Sequence, residues 1–72
     1  MVKLVKITNF ADVTAVTKAA SQCFDEIGVH DIKGSIADAK SILGLMSLDY
    51  SEPVKLVSEN EKELEAVASV LS

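Results

Sequence analysis

Few residues in this chain of 72 could act as nucleophiles, bases or metal ligands, and they are scattered. The single histidine, His30, is followed by Asp31, and the single cysteine is Cys23. Nucleophilic catalysis needs a serine or cysteine beside a histidine that a carboxylate orients. His30 and Asp31 are neighbours in a predicted strand, where successive side chains point to opposite faces, so Asp31 cannot easily orient His30. Cys23 is predicted on the apolar face of the first helix, where a small buried thiol is the ordinary interpretation. One histidine makes no metal site. We therefore expect a protein that is not an enzyme and uses no metal or cofactor.

Composition argues against several classes of partner. Seven lysines, no arginine and eleven acids give a net charge of −4, whereas nucleic-acid-binding proteins cluster basic residues. The same balance disfavours an anionic membrane surface, and no apolar run approaches the roughly 20 residues of a membrane span. No glycine-rich phosphate loop is present. The lone cysteine fits a reducing compartment. We expect a cytoplasmic protein that binds other proteins, and neither nucleic acid, membrane nor a small-molecule substrate.

The most informative segment covers residues 38–48, where a short helix is predicted over residues 39–47. Its apolar residues are too many for one narrow helix face, so some must point to solvent. Leu43 and Met46 are three positions apart and share a face of the helix. The functional interpretation is a partner-docking patch at Ile42, Leu43 and Met46. A family resemblance of this segment, given below, implies that the shared face is a binding surface, so we predict that Leu43 and Met46 are exposed while Ile42 and Leu45 lean towards the protein. The alternative is a short core helix with spare apolar residues.

Ser41 is the candidate phosphorylation site of this segment, and the family resemblance given below implies that the modification is regulatory. If Asp38 is the N-cap, Ser41 lies in the first turn, near unpaired amides and the positive end of the helix dipole. A phosphate would be stabilised at such a position. The alternative is that Ser41 is simply a small polar residue near a helix start.

The elements that position these residues follow from apolar periodicity. Residues 2–7 predict a strand, and a helix then extends to Gly28 from an N-cap at Thr8, Asn9 or Asp12. Strands over residues 29–32 and 35–37 flank a tight turn, residues 51–53 form another turn, and residues 54–58 a further strand. A last helix begins at Asn60, with Glu63 placed as in a capping box.

Two helical stripes are expected to build the core. The predicted residues are Val13, Val16, Ala20, Phe24 and Ile27 of the first helix and Leu64, Val67, Ala68 and Leu71 of the last. We expect Phe24→Ala to unfold most of the protein. The order β-α-β-β-α-β-α is typical of a single α+β domain, here residues 1–72, with an antiparallel sheet covered on one face.

Residues 39–48 (Ala-Lys-Ser-Ile-Leu-Gly-Leu-Met-Ser-Leu) resemble the regulatory-serine segment of HPr, the histidine-containing phosphocarrier of the bacterial sugar phosphotransferase system. The order of elements is similar along the whole chain. The resemblance implies an open-faced sandwich, with a four-stranded antiparallel sheet and three helices on one side. HPr accepts phosphate on a histidine from the first enzyme of the pathway and passes it to sugar-specific proteins. In Gram-positive bacteria a dedicated kinase phosphorylates its serine.

The residues that carry the family's phosphocarrier chemistry differ here. HPr has a Gly-Leu-His-Ala-Arg-Pro segment leading into its first helix, and residues 12–17 occupy that stretch, with Thr14 at the histidine and Val16 at the arginine. A threonine without a neighbouring base is a poor replacement for imidazole. The resemblance thus implies a regulatory or adaptor protein whose partners are phosphotransferase-system components, a serine kinase or a transcription regulator. The alternatives are a phosphocarrier with an unexpected acceptor and an orphan structural domain.

Overall fold

The computed structural model describes residues 1–71, which form an α+β fold in the predicted order β-α-β-β-α-β-α. The strands are β1 (Val2–Val5), β2 (Gly28–His30), β3 (Ile36–Asp38) and β4 (Val54–Val57). The helices are α1 (Phe10–Ala20), α2 (Ile42–Met46) and α3 (Glu61–Ser69). The strands form one open antiparallel sheet in the order β1-β4-β2-β3. The predicted fold class is confirmed.

The helices cover one face of the sheet, and the other face is open to solvent. Val54 and Leu56 of β4 are buried, while Lys55 between them is exposed, as the period of two along a strand requires. In β1 the exposed positions are Val2 and Leu4. The central strands β4 and β2 therefore carry the core side of the sheet, and β1 and β3 form its edges.

One contiguous core lies between the sheet and the helices. Its buried apolar residues are Ile7, Val13, Val16, Ala20, Ile27, Val29, Ala39, Leu45, Leu48, Val54, Leu56, Leu64, Val67 and Ala68. Most of the predicted helical stripes are in this set, and Leu71 packs against it half-buried. The sheet and the loops supply the remainder.

The prediction for the end of the first helix is wrong. The helix begins as expected after the N-cap Asn9, but it ends at Ala20 and not near Gly28. Phe24, expected in the core, is 96% exposed. Ile27 is buried as expected, although it belongs to the connector over residues 21–27 and not to α1.

The β2–β3 hairpin forms around the predicted turn. Gly34 has a φ of 87°, a left-handed conformation that glycine adopts without strain. The carboxylate of Asp31 closes the turn, since it accepts hydrogen bonds from the amides of Lys33 at 3.0 Å and Ser35 at 2.8 Å. The turn therefore depends on one acidic side chain as well as on glycine.

The last helix begins at its predicted N-cap. The side chain of Asn60 accepts a hydrogen bond from the Glu63 amide at 3.1 Å. Glu63 does not complete a capping box, because its carboxylate binds the backbone of the connector over residues 21–27. Along residues 1–71 no helix has the length and apolar content needed to cross a membrane.

Candidate partner-docking site

The start of α1 and the face of α2 bring three exposed apolar side chains to one region of the surface. Leu43 is 80% exposed and Met46 56%, which confirms the predicted exposure of both residues. Leu45 between them is fully buried and Ile42 half-buried, also as predicted. Phe10, the first residue of α1, is 57% exposed. We call Phe10, Leu43 and Met46 the α1–α2 patch.

Phe10 is held at the start of α1 by two local hydrogen-bond motifs. The side chain of Asn9 accepts a hydrogen bond from the Asp12 amide at 2.9 Å, which makes Asn9 the N-cap. The Asp12 carboxylate in turn accepts hydrogen bonds from the amide and the hydroxyl of Thr8, both at 3.0 Å. The backbone on either side of Phe10 is therefore fixed, and its side chain projects from a defined position.

A shallow cleft of about 240 Å³ lies between the start of α1 and the end of α2. Its lining residues are Ile7, Thr8, Asn9, Phe10, Val13, Met46 and Tyr50. Tyr50 anchors the far side of the cleft, because its hydroxyl donates a hydrogen bond to the carbonyl of Leu45. Burial raises the pKa of Tyr50, and the nearby Asp31 carboxylate raises it further. Tyr50 therefore stays a neutral donor that attaches the loop after α2 to the helix.

Ser41 is exposed next to the patch, but its place in α2 differs from the prediction. Its own hydroxyl accepts a hydrogen bond from the Gly44 amide at 3.2 Å, so Ser41 is the N-cap. Asp38, predicted as the N-cap, is the last residue of β3, and its carboxylate accepts from the Lys40 amide at 2.9 Å. The helix is shorter than predicted because residues 39–41 form the turn that leaves the sheet.

Gly44 allows α2 to lie close to β3. A Cβ at this position would be 3.2 Å from the hydroxyl oxygen of Ser41 and 3.3 Å from the Cβ of Ala37. Both distances are tighter than ordinary side-chain contacts. The absence of a side chain at Gly44 therefore lets Ser41 cap the helix while Leu45 enters the core.

Two acidic side chains hold the loop that follows α2. Asp31 is buried, and besides closing the hairpin it accepts a hydrogen bond from the Asp49 amide at 2.9 Å. This bond is the main cause that holds the pKa of Asp31 below its ordinary value. The hydroxyl and the amide of Ser51 donate hydrogen bonds to the Asp49 carboxylate, and the ammonium group of Lys33 lies 3.1 Å from it. Together these contacts lower the pKa of Asp49 to about 2. Both carboxylates are ionised at neutral pH and connect the hairpin to the residues beside the cleft.

The structure separates the other candidate residues from one another. Thr14 lies within α1, where its half-buried hydroxyl donates to the Ala11 carbonyl at 2.9 Å. The residues that lead into the helix are instead Thr8 and Asn9. His30 ends β2, where it pairs with Lys55 and Ile36.

Cys23 is half-buried in the connector over residues 21–27 and not on a helix face. Burial raises the pKa of its thiol, and the nearby Glu63 carboxylate raises it further, which disfavours the reactive thiolate. The side chain of Lys40, beside Ser41 in sequence, donates to the Cys23 carbonyl at 3.3 Å. Lys40 therefore points towards the connector. Among residues 1–71 no three histidine, cysteine or acidic side chains lie close enough together to hold a metal ion.

Phe10 and Tyr50 are the members of this site that sequence reasoning missed. Phe10 is three residues before the buried Val13, a spacing that places both on neighbouring parts of the helix surface. That spacing alone does not show whether the first residue of a helix is covered. Tyr50 lies in a loop, where no periodicity applies, so only the folded chain places it beside α2.

No family model matches the chain, and no curated protein matches it.

Proposed function

We propose that this chain is an HPr-like regulatory or adaptor protein, related to the sugar phosphotransferase system, that binds partner proteins through the α1–α2 patch. The observation that carries the proposal is the exposure of Leu43 and Met46, with the exposed Phe10 at the start of α1. The other large side chains of α2 are half-buried or buried. Exposed apolar clusters on small monomeric proteins mark interaction surfaces. The similarity of residues 39–48 to the regulatory-serine segment of HPr supports the family assignment.

Regulation of the patch would come from phosphorylation of Ser41. The hydroxyl is exposed, and it lies two residues from Leu43. A phosphoserine carries about −1.5 to −2 charges and is compatible with an N-cap, where backbone amides face it. The added charge would therefore leave α2 folded and penalise an apolar or acidic partner surface at Leu43 and Met46.

Histidine phosphocarrier chemistry has no support among the residues of the patch. Thr14, at the position of the family's histidine by sequence count, donates its hydroxyl hydrogen to the Ala11 carbonyl within α1. His30 belongs to the sheet and does not line the cleft. The proposed function is therefore binding and regulation rather than group transfer.

The test for Ser41 is treatment with a Gram-positive HPr serine kinase and ATP, followed by intact-mass analysis. We expect the mass gain of one phosphate, and Ser41→Ala should abolish it. Ser47→Ala, at the exposed C-terminal end of α2, is the control and should leave the mass gain in place. Ser41→Asp serves as a folded mimic because aspartate is also a good N-cap. No mass gain under conditions that fully modify authentic HPr would end the phosphorylation hypothesis.

A second experiment tests the absence of carrier activity. The protein is incubated with the first enzyme of the phosphotransferase system and labelled phosphoenolpyruvate, with authentic HPr as the positive control. We expect no acid-labile label on this chain. The total label is therefore also measured, because phosphate on a threonine hydroxyl is stable in acid. Acid-stable label that survives in His30→Gln and disappears in Thr14→Val would establish a phosphocarrier with an unexpected acceptor.

A further inference from the structure

A second exposed aromatic side chain lies outside the α1–α2 patch. Phe24 is 96% exposed, more than any other large apolar side chain of residues 1–71. It lies in the connector over residues 21–27, between α1 and β2. An aromatic side chain this exposed is costly to leave in water, because burying it elsewhere would stabilise the fold.

The backbone that carries Phe24 is fixed. The Glu63 carboxylate of α3 accepts hydrogen bonds from the Phe24 amide at 2.8 Å and from the Asp25 amide at 2.9 Å. The side-chain amide of Asn60 donates to the Asp25 carboxylate at 3.0 Å. On the other side, the buried Ile27 accepts a hydrogen bond from the Ala39 amide at 2.9 Å. A partner that covers Phe24 therefore meets a preorganised backbone and has to order little more than the phenylalanine side chain.

Phe24 lines an open trough of about 740 Å³. Gly28 and Val57 pair with each other in the sheet and line the trough where β2 begins and β4 ends. Met1, 60% exposed, also lines it. None of the residues that line this trough lines the cleft of the α1–α2 patch. The trough is a separate surface with apolar side chains available to a partner.

The charges around the trough are mainly negative. Asp25, Glu26 and Glu59 line it, and within residues 1–71 neither Glu26 nor Glu59 has an ion-pair partner. The nitrogen groups at the trough are the imidazole of His30 and the amino group of Met1, which donates to the Ser58 carbonyl at 2.8 Å. A second copy of this chain would bring the same three acids against Asp25, Glu26 and Glu59, and like charges facing each other across an interface are unfavourable. The complementary surface is basic.

We propose that the Phe24 trough binds a partner protein through a segment that alternates basic and apolar residues. The apolar residues of that segment cover Phe24 and Val57, while its lysine or arginine side chains face Glu26 and Glu59. This inference goes beyond the proposed function, because it concerns a different surface and does not depend on Ser41 or on relation to HPr.

The experiment is a titration of the isotope-labelled protein followed by amide chemical shifts. The probe is a synthetic peptide of alternating lysine and leucine, and an alternating glutamate–leucine peptide serves as the charge control. We expect the lysine peptide to shift the amides of Phe24, Glu26 and Val57, and to bind more weakly as salt increases. The glutamate peptide is expected to cause no shifts there.

Matched variants make the assignment specific. Phe24→Ala should weaken binding of the lysine peptide by roughly tenfold or more, whereas Phe10→Ala in the α1–α2 patch should leave it unchanged. Glu59→Lys should weaken binding of the lysine peptide. Glu52→Lys makes the same change in net charge at an exposed site outside the trough, and it should weaken binding less.

Several results would overturn the proposal. One is that the lysine peptide shows no saturable binding at about millimolar concentration. Another is that the amide shifts are confined to Leu43 and Met46, and a third is that Phe24→Ala and Phe10→Ala weaken peptide binding equally. Shifts at Phe24 that depend on protein concentration without any peptide would show that a second copy occupies the trough. That result would also overturn the basic partner.

Discussion

Both α2 and the connector over residues 21–27 expose large apolar side chains, and they do so for different reasons. In α2, a helix of five residues, only one side faces the core, so Leu45 is buried while Leu43 and Met46 remain outside. In the connector over residues 21–27, the local pattern favours a longer helix with Phe24 on its apolar face. There the Phe24 amide, which would bond to the Ala20 carbonyl in a continuing helix, binds the Glu63 carboxylate instead.

The difference shows how far local spacing can be used to predict exposure. The placement of Leu43 and Met46 on one helix face depends on neighbours within one helix turn, and periodicity predicts it. The resemblance of residues 39–48 to HPr then implied that this face is exposed, as it is. The exposure of Phe24 depends on a hydrogen bond to a residue 39 positions away in sequence. The following experiments would break or sharpen this contrast, beginning with the largest expected effect.

The two leucines of α2 should differ strongly in their contribution to stability. Leu45→Ala should lower the free energy of unfolding by about 2–5 kcal/mol, because it leaves a cavity in the core. Leu43→Ala should change it by about 0.5 kcal/mol or less, as is usual for exposed sites. Urea unfolding of both variants measures the difference. Similar losses for the two would mean that Leu43 also contributes to the core.

The connector should depend on Glu63. Glu63→Ala removes the acceptor of two amide hydrogen bonds, and we expect a loss of about 1 kcal/mol in the free energy of unfolding. Hydrogen exchange of the Phe24 and Asp25 amides should become faster. Glu61→Ala, which removes an exposed carboxylate from the same helix turn, is the control and should leave both amides protected. Unchanged exchange in Glu63→Ala would show that the connector is held by other contacts.

The loop that borders the α1–α2 patch should become less stable in acid. The pKa values of Asp31 and Asp49 are lowered on folding, so their stabilising effect is complete above the ordinary carboxyl value of 3.8. The effect is lost as the pH falls through the folded values, about 2 for Asp49. Thermal unfolding between pH 5 and pH 2 should therefore show a smaller decrease in Tm for Asp49→Asn than for the natural sequence. Parallel decreases would exclude this contribution of Asp49.

The smallest effect is expected for Phe24→Ala. Because the side chain is almost fully exposed, its removal should change the free energy of unfolding by about 0.5 kcal/mol or less. This outcome is the opposite of the one that the apolar spacing of the sequence predicts. Urea unfolding decides between the two, and a loss of about 3 kcal/mol or more would place Phe24 in the core after all.

Much of the fold could be predicted because it depends on local signals. The caps at Asn9 and Asn60, the turn at Gly34 and the alternation in β4 all act over a few residues. The end of α1 could not be predicted in this way, since the hydrogen bonds that replace the helix come from α3. The N-cap of α2 was predicted at Asp38 and lies at Ser41, because pairing of β3 with β2 keeps Asp38 in the sheet.

The candidate site divides in the same way. The sequence by itself determined that α2 has more apolar residues than one face can bury, and that Leu43 and Met46 share one side of the helix. Only the tertiary structure decided that Phe10 lies beside Met46 across a cleft, and that Phe24 is displayed at a separate trough. The physical reason is range: helix periodicity and capping act within a few residues. The positions of Phe10 and Phe24 depend on packing and hydrogen bonds between elements far apart in the chain.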